Sequence, residues 1–127
     1  MDVKELNGTS FAFLGDVVYS LHVREYYIEH GYRQGKVLQK LCNNYVSAKA
    51  QTKVFNRLND QAFFNEAELE IYKRGRNSIG HIPKNGNLQT YTIASGLEAI
   101  VGYLYLVDQA RLATFFEKMF EGGIENE

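Results

Sequence analysis

The sequence predicts an all-α protein, and three observations carry that prediction. Apolar residues recur every three to five positions along most of the chain, which is the period of a helix. No segment alternates apolar and polar residues between hairpin turns, as exposed strands do. The chain has one proline in 127 residues, which argues against Pro-rich linkers and most β-sandwiches. This length suits a single domain, expected over residues 1–127.

The first half of the chain predicts three helices. Residues 11–29 carry apolar side chains at helical spacing, and Gly31 supplies a C-terminal stop. Residues 34–42 predict a second helix, which the pair Asn43-Asn44 is expected to break. Residues 46–58 predict a third helix with its apolar residues on one face.

The second half predicts three more helices. Asn65 is expected to cap a fourth helix at its N-terminus, and Gly75 is expected to end it. Residues 76–87 form the only long polar stretch and contain an Asn-Gly turn pair. Residues 88–106 predict the most apolar helix, and Asp108 is expected to cap the last one.

Several common kinds of site are absent from the sequence. The single cysteine, Cys42, excludes an intramolecular disulfide framework and a cysteine zinc cage. His22, His30 and His81 do not cluster, and neither a His-Glu-x-x-His motif nor a phosphate-binding Gly-x-x-x-x-Gly-Lys loop occurs. The polar N-terminus does not resemble a signal peptide, and no apolar run approaches membrane-spanning length, so we expect a cytoplasmic protein.

The nearly neutral net charge conceals an uneven distribution. The chain has 14 basic and 15 acidic residues, a formal charge of −1. Residues 33–89 hold ten basic and four acidic residues, whereas the segments on either side are acidic. A basic central third either contacts phosphates or coats solvent-exposed helix faces, and charge alone favours the second interpretation.

Two carboxylates lie within apolar helical segments. Asp16 follows Phe13-Leu14-Gly15, and Glu98 lies between two glycines in the most apolar helix. A buried carboxylate is costly unless it is paired or binds metal, and the glycines indicate close helix approach. Two such carboxylates suit Mg²⁺, which takes oxygen ligands and keeps several waters. Alternatively, Asp16 is the N-cap of a helix starting at Val17, and Glu98 faces solvent.

These segments resemble the ribonuclease III family. The run 13–16, Phe-Leu-Gly-Asp, resembles the end of its signature, and residues 94–106 resemble its second catalytic helix. The segments Tyr-Val-Ser-Ala-Lys-Ala-Gln (45–51), Lys-Arg-Gly-Arg-Asn (73–77), Pro-Lys-Asn (83–85) and Leu-Gln-Thr-Tyr (88–91) are also present. In this order they resemble the Mini-ribonuclease III branch, which consists of the catalytic domain only. The resemblance covers about residues 8–112.

The resemblance implies an all-α, homodimeric, Mg²⁺-dependent endonuclease that cuts double-stranded RNA. By analogy, Asp16 and Glu98 bind the metal and are catalytic, and a metal-activated water attacks the phosphodiester to leave 5′-phosphate and 3′-hydroxyl ends. Phe13 matches a residue that inserts into the other protomer. The implied task is maturation of the large-subunit (23S) ribosomal RNA precursor.

Two positions depart from the larger enzymes of the family. Those enzymes have a glutamate four residues before the signature aspartate and an aspartate three residues before the second-helix glutamate. This chain has Ala12 and Ser95 there. The small branch also lacks these carboxylates, so we expect activity. A non-catalytic RNA- or ribosome-binding module would show the same departures, and a helical protein-interaction adaptor is a third possibility.

The chain also ends without the double-stranded-RNA-binding domain of the larger enzymes, so the catalytic domain itself is expected to bind RNA. A-form RNA presents phosphates and 2′-hydroxyls more than readable base edges. Basic and amide side chains of the polar stretch, together with two lysines of the third helix, suit such contacts. The expected RNA-binding residues are Lys49, Lys53, Arg74, Arg76, Asn77, Lys84, Asn85 and Gln89.

Overall fold

The structure, a computed structural model, describes residues 1–77 and 87–122, and those residues form helices without any strand. A short 3-10 helix, Val3–Glu5, precedes the six α-helices. Their bounds are α1 Gly8–Glu29, α2 Gly35–Val46, α3 Ala48–Asp60, α4 Glu66–Arg76, α5 Leu88–Val107 and α6 Gln109–Glu121. The predicted all-α fold is confirmed.

Helix α5 lies at the centre of the fold. It contacts α1, α3, α4 and α6, and its contact with α1 is the most extensive in the molecule. By length and composition alone, α5 could cross a membrane, which corrects the expectation that no apolar segment reaches that length. The central helix of a helical bundle can have the same length and apolar composition. In α5, the side chains of Leu97, Ile100 and Val101 are completely buried among the neighbouring helices.

Glycines allow α1 and α5 to cross almost backbone to backbone. A Cβ atom added to Gly15 of α1 would lie 1.7 Å from the carbonyl oxygen of Glu98 in α5. A Cβ atom added to Gly102 of α5 would lie 2.0 Å from the carbonyl oxygen of Phe11 in α1. Both distances are far below van der Waals contact, so only glycine fits at these two positions.

Polar side chains cap several helices at the positions that the sequence predicted. Asn65 and Glu68 form a capping box at the start of α4. Asp108 caps α6 by accepting a hydrogen bond from the backbone of Arg111. Gly31, at φ 97°, follows α1 in the left-handed conformation that ends helices. The predicted caps and the predicted stop are therefore confirmed.

An ion pair joins α4 to α6. The guanidinium of Arg111 donates to both carboxylate oxygens of Glu68 at 2.7 and 2.8 Å, and also to the carbonyl oxygen of Phe63 at 2.7 Å. Its central carbon lies 4.0 Å from the centre of the Phe63 ring. The side chain of Glu68 is 1% exposed, and its negative charge is compensated by the bidentate ion pair with Arg111.

Several predicted helix boundaries were wrong. Helix α2 continues through Asn43-Asn44, because those side chains face solvent while Tyr45 packs in the core. The break falls at Ser47, which ends α2 and caps α3. Helix α1 starts at Gly8 rather than at residue 11.

Gly75 does not end α4, which continues to Arg76. This glycine is buried, and an added Cβ atom would lie 2.4 Å from the Cβ atom of Ala99 in α5. Close packing of α4 on α5 therefore explains the glycine. The prediction that Gly75 ends the helix was wrong because this glycine is needed for packing.

We predict that Gly15→Ala destabilises the protein by about 3 kcal/mol or more, because the methyl group meets a backbone atom that no rotamer change can move. Gly35→Ala is the matched control, because nothing lies within 4 Å of the Cβ position at Gly35. Denaturant unfolding of both variants measures the effect. A free energy of unfolding for Gly15→Ala within about 0.5 kcal/mol of wild type would contradict the predicted close contact.

Candidate active site

The crossing of α1 and α5 brings Asp16 and Glu98 together. Asp16 follows Gly15, whose backbone packs against the carbonyl of Glu98. The two carboxyl groups lie close enough to interact, with Asp16 exposed and Glu98 half-buried. Asp16 therefore lies inside α1 and is not the N-cap of a helix starting at Val17. Glu98 faces Asp16 and is not a freely solvated side chain.

The paired carboxyl groups make the ionised form of Glu98 unfavourable. Burial, followed by the hydrogen bond and the negative charge of Asp16, raises the pKa of Glu98 from about 4.5 to about 8. The protonated form of Glu98 is therefore favoured at neutral pH. A cation between the two groups would remove their repulsion and favour ionisation of both.

Gln51 of α3 completes the surroundings of Glu98. Its side chain is 2% exposed, and Nε2 donates to Oε2 of Glu98 at 3.4 Å. This hydrogen bond favours the ionised carboxylate and lowers the pKa of Glu98 against the larger effect of burial. Sequence reasoning missed Gln51: it lies in the segment 45–51 that supports the resemblance, but no local pattern marked its side chain as buried.

Open space lies beside Asp16 on the outer face of α1. A cavity of about 360 Å³ is lined by Asp16, Val17, Ser20, Leu21 and Arg24. The guanidinium of Arg24 donates to the hydroxyl of Ser20 at 3.1 Å. All five residues lie on α1, so this space is a shallow, open depression on one helix face that Val17 and Leu21 share with Asp16.

Ser95, at the position where the larger enzymes have an aspartate, makes a contact between two helices. Its hydroxyl donates to the carbonyl oxygen of Gly75 at 3.1 Å and thereby fastens α5 to the last turn of α4. Within residues 1–77 and 87–122, no three His, Cys, Asp or Glu side chains lie close enough together to hold a metal ion. Asp16 and Glu98 still suit Mg²⁺, which proteins often bind through one or two carboxylates while other positions keep water.

The candidate RNA-binding residues lie on several exposed elements. Lys49 and Lys53 are exposed on α3, and Gln89 is exposed in the first turn of α5. The hydroxyl of Thr52 donates to the carbonyl oxygen of Thr90 at 3.0 Å, so these two regions adjoin.

The remaining candidates follow the end of α4. Arg74, Arg76 and Asn77 are exposed there, and the guanidinium carbon of Arg76 lies 5.8 Å from the centre of the Tyr72 ring. Lys84 and Asn85 lie outside the described residues.

Phe13 begins an exposed apolar stripe on α1. Its side chain is 81% exposed, and Val17 and Leu21 follow at four-residue spacing with 62% and 50% exposure. We call Phe13, Val17 and Leu21 the α1 stripe. A row of exposed apolar side chains on one helix face is typical of a protein interface.

Comparisons with known proteins agree with this geometry. The ribonuclease III domain family matches residues 9–109. A Mini-ribonuclease 3 from Enterococcus faecalis is 38% identical over 109 residues, covering 85% of this chain and 83% of that protein. Another from Brevibacillus brevis is 40% identical over 116 residues, covering 90% and 85%. A Fusobacterium nucleatum crystal structure matches with a TM-score of 0.84 and 29% identity, covering 97% of this chain and 98% of that one.

We predict that the stability of the metal-free protein depends on pH through Glu98. Its pKa rises from about 4.5 when unfolded to about 8 when folded, so its contribution to stability is complete below pH 4.5 and is lost as the pH rises through 8. Glu98→Gln mimics the protonated form and lacks this titration. The unfolding free energy of wild type should therefore fall relative to Glu98→Gln by up to about 1.4 kcal/mol per pH unit in this range.

Denaturant unfolding in the presence of a chelator, repeated across that pH range, measures this difference. Parallel stability curves for the two proteins would show that Glu98 is not perturbed.

Proposed function

The chain belongs to the ribonuclease III family and is an endoribonuclease, and on that premise we propose that it cuts double-stranded RNA with Mg²⁺ held by Asp16 and Glu98. The observation that carries this proposal is the contact between these two carboxyl groups at the α1–α5 crossing. Two facing carboxylates in a half-buried position need a proton or a cation between them. A hard divalent cation with water ligands matches that need.

The proposed reaction is hydrolysis of a phosphodiester. The oxygen of water bonds to phosphorus while the bond from phosphorus to the 3′-oxygen breaks, which leaves 5′-phosphate and 3′-hydroxyl ends. When bound, Mg²⁺ lowers the pKa of a water and offsets charge on the phosphoryl oxygens. Asp16 is the more exposed of the two carboxyl groups, so it is the principal ligand in this proposal. Glu98 holds the inner side and exchanges its proton for the cation.

Exposed cations and amides around the site are the proposed RNA contacts. Lys49 and Lys53 on α3, Gln89 at the start of α5, and Arg74 and Arg76 at the end of α4 all reach solvent. Phosphate contacts of this kind position a duplex without reading its sequence and weaken as salt rises. Asn77, Lys84 and Asn85 belong to the same proposal on the basis of the sequence.

We further propose that the protein is a homodimer paired through the α1 stripe. If two α1 helices pack antiparallel and cross midway between Val17 and Leu21, Phe13 of one copy lies opposite Glu25 of the other. A cavity of about 450 Å³ opens at that place between α1 and α6, and its lining includes Glu25, Tyr26 and Phe116. The exposed ring of Phe13 therefore has an apolar receptor on the second copy.

The proposed substrate is the precursor of large-subunit (23S) ribosomal RNA, and the proposed location is the cytoplasm. Support comes from the resemblance of the chain to Mini-ribonuclease III, for which that task is implied. Ribosome biogenesis is therefore the process in which we expect the enzyme to act.

Cleavage of a long RNA duplex tests the proposed reaction. Wild type should cut it in Mg²⁺ and leave it intact in chelator. Asp16→Asn should lower the rate by about 100-fold or more, as expected when a principal electrostatic group of an active site is lost, while duplex binding is retained. Asp60→Asn, which changes an exposed carboxylate at the end of α3, is the control. Duplex binding without cleavage by wild type, also with a structured ribosomal precursor, would favour the non-catalytic binding module.

Sedimentation of Phe13→Asp tests the proposed dimer. A carboxylate placed in an apolar interface loses its hydration. We therefore expect the dissociation constant of the dimer to be at least about tenfold higher than that of wild type. Val37→Asp introduces the same charge at a 41% exposed apolar position on α2 and should not change the sedimentation. A dimer of unchanged affinity in Phe13→Asp would exclude the α1 stripe as its interface.

A further inference from the structure

Gln51 is a buried polar residue whose hydrogen bond leads to the candidate active site. Among the described residues, the buried polar or charged side chains are Gln51 and Glu68. Glu68 is explained by its ion pair with Arg111. Gln51 has no such structural partner in α4 or α6, and its amide points instead to the Glu98 carboxylate.

The position of Gln51 is fixed by the helix that carries it. Ser47 caps α3 by accepting a hydrogen bond from the backbone of Ala50 at 3.1 Å. The next residue after Gln51, Thr52, donates to the carbonyl oxygen of Thr90 and thereby fastens α3 to α5. The amide of Gln51 therefore reaches Glu98 from a rigid helix and not from a mobile loop.

Glu98 is held from two sides. Asp16 of α1 lies beside it, because the backbone of Gly15 packs against the Glu98 carbonyl, and Nε2 of Gln51 donates to Oε2 from α3 at 3.4 Å. An amide that donates to one oxygen restricts rotation of the carboxylate and leaves the other oxygen free to accept or to bind a cation. Groups that orient a metal-binding side chain in this way commonly change metal affinity when they are removed.

We propose that Gln51 is a positioning residue that holds the Glu98 carboxylate facing Asp16, so that the two carboxylates are preorganised to bind the cation. This inference rests on the proposed function, because it assigns Gln51 a role in the same metal site. Gln51 does not touch RNA or the cation itself. Its effect is exerted through Glu98.

The test replaces the amide while preserving volume. Gln51→Met has a side chain of similar length without a hydrogen-bond donor, and Gln39→Met makes the same change at an exposed position on α2. Calorimetry measures the binding of Mg²⁺ alone to each metal-free protein, without RNA. We expect Gln51→Met to bind Mg²⁺ about tenfold more weakly than wild type, and Gln39→Met to bind it equally well.

A kinetic measurement separates positioning from a structural role. In Gln51→Met, the Mg²⁺ concentration for half-maximal cleavage should rise and kcat should fall, whereas KM for duplex RNA should stay unchanged. Some loss of unfolding free energy is expected, because Glu98 loses one hydrogen-bond partner, so circular dichroism should first establish that the variant is folded. Gln51→Asn, whose shorter amide falls short of Glu98, should show the same loss of Mg²⁺ affinity if the methionine variant does not fold.

The outcomes distinguish the two proposals. Wild-type Mg²⁺ affinity and kcat in Gln51→Met and Gln51→Asn would overturn the role of Gln51, while the proposed function stands. A wild-type protein that neither binds Mg²⁺ nor cuts duplex RNA would overturn both.

Discussion

The backbone contact between α1 and α5 is the constraint on which the rest of the structure depends. Gly15 and Gly102 remove the side chains that would otherwise separate the two helices. The residues next to these contacts then define the site, because Asp16 follows Gly15 and Glu98 supplies the carbonyl against which Gly15 packs. Core packing and the spacing of the two carboxyl groups are therefore set by the same contact. The remaining helices surround this pair, and α5 serves as the common partner for most of them.

The electrostatics of the site follow from that geometry. Two carboxyl groups held together in a half-buried position cannot both be ionised without compensation, so the pKa of Glu98 rises. Elsewhere in the described part of the chain, the buried carboxylate of Glu68 is compensated internally by Arg111. Within residues 1–77 and 87–122, the ion pairs of the structure do not include Asp16 or Glu98. Glu68 therefore contributes to the stability of the fold, whereas the Asp16–Glu98 pair is suited to bind a cation.

The sequence predicted what is encoded locally and missed what tertiary contacts decide. Asp16 and Glu98 were singled out because carboxylates beside glycines in apolar helices are conspicuous and because their segments resemble those of the family. The caps at Asn65 and Asp108 were predicted because capping is local. The end of α2 was wrong because Tyr45 packs in the core and carries the helix past the asparagine pair. Gln51 was missed because its burial depends on how α3 lies against α5, which no spacing along the chain reveals.

The central position of α5 also determines how the site can be lost. Local opening of a folded protein begins at elements with few tertiary contacts, such as helix ends and peripheral helices. Asp16 lies in the middle of α1 and Glu98 in the middle of α5, away from any fraying end. Fraying at the helix ends therefore leaves the two carboxyl groups in place. The site should persist through the local opening by which the amides of these ends exchange with solvent.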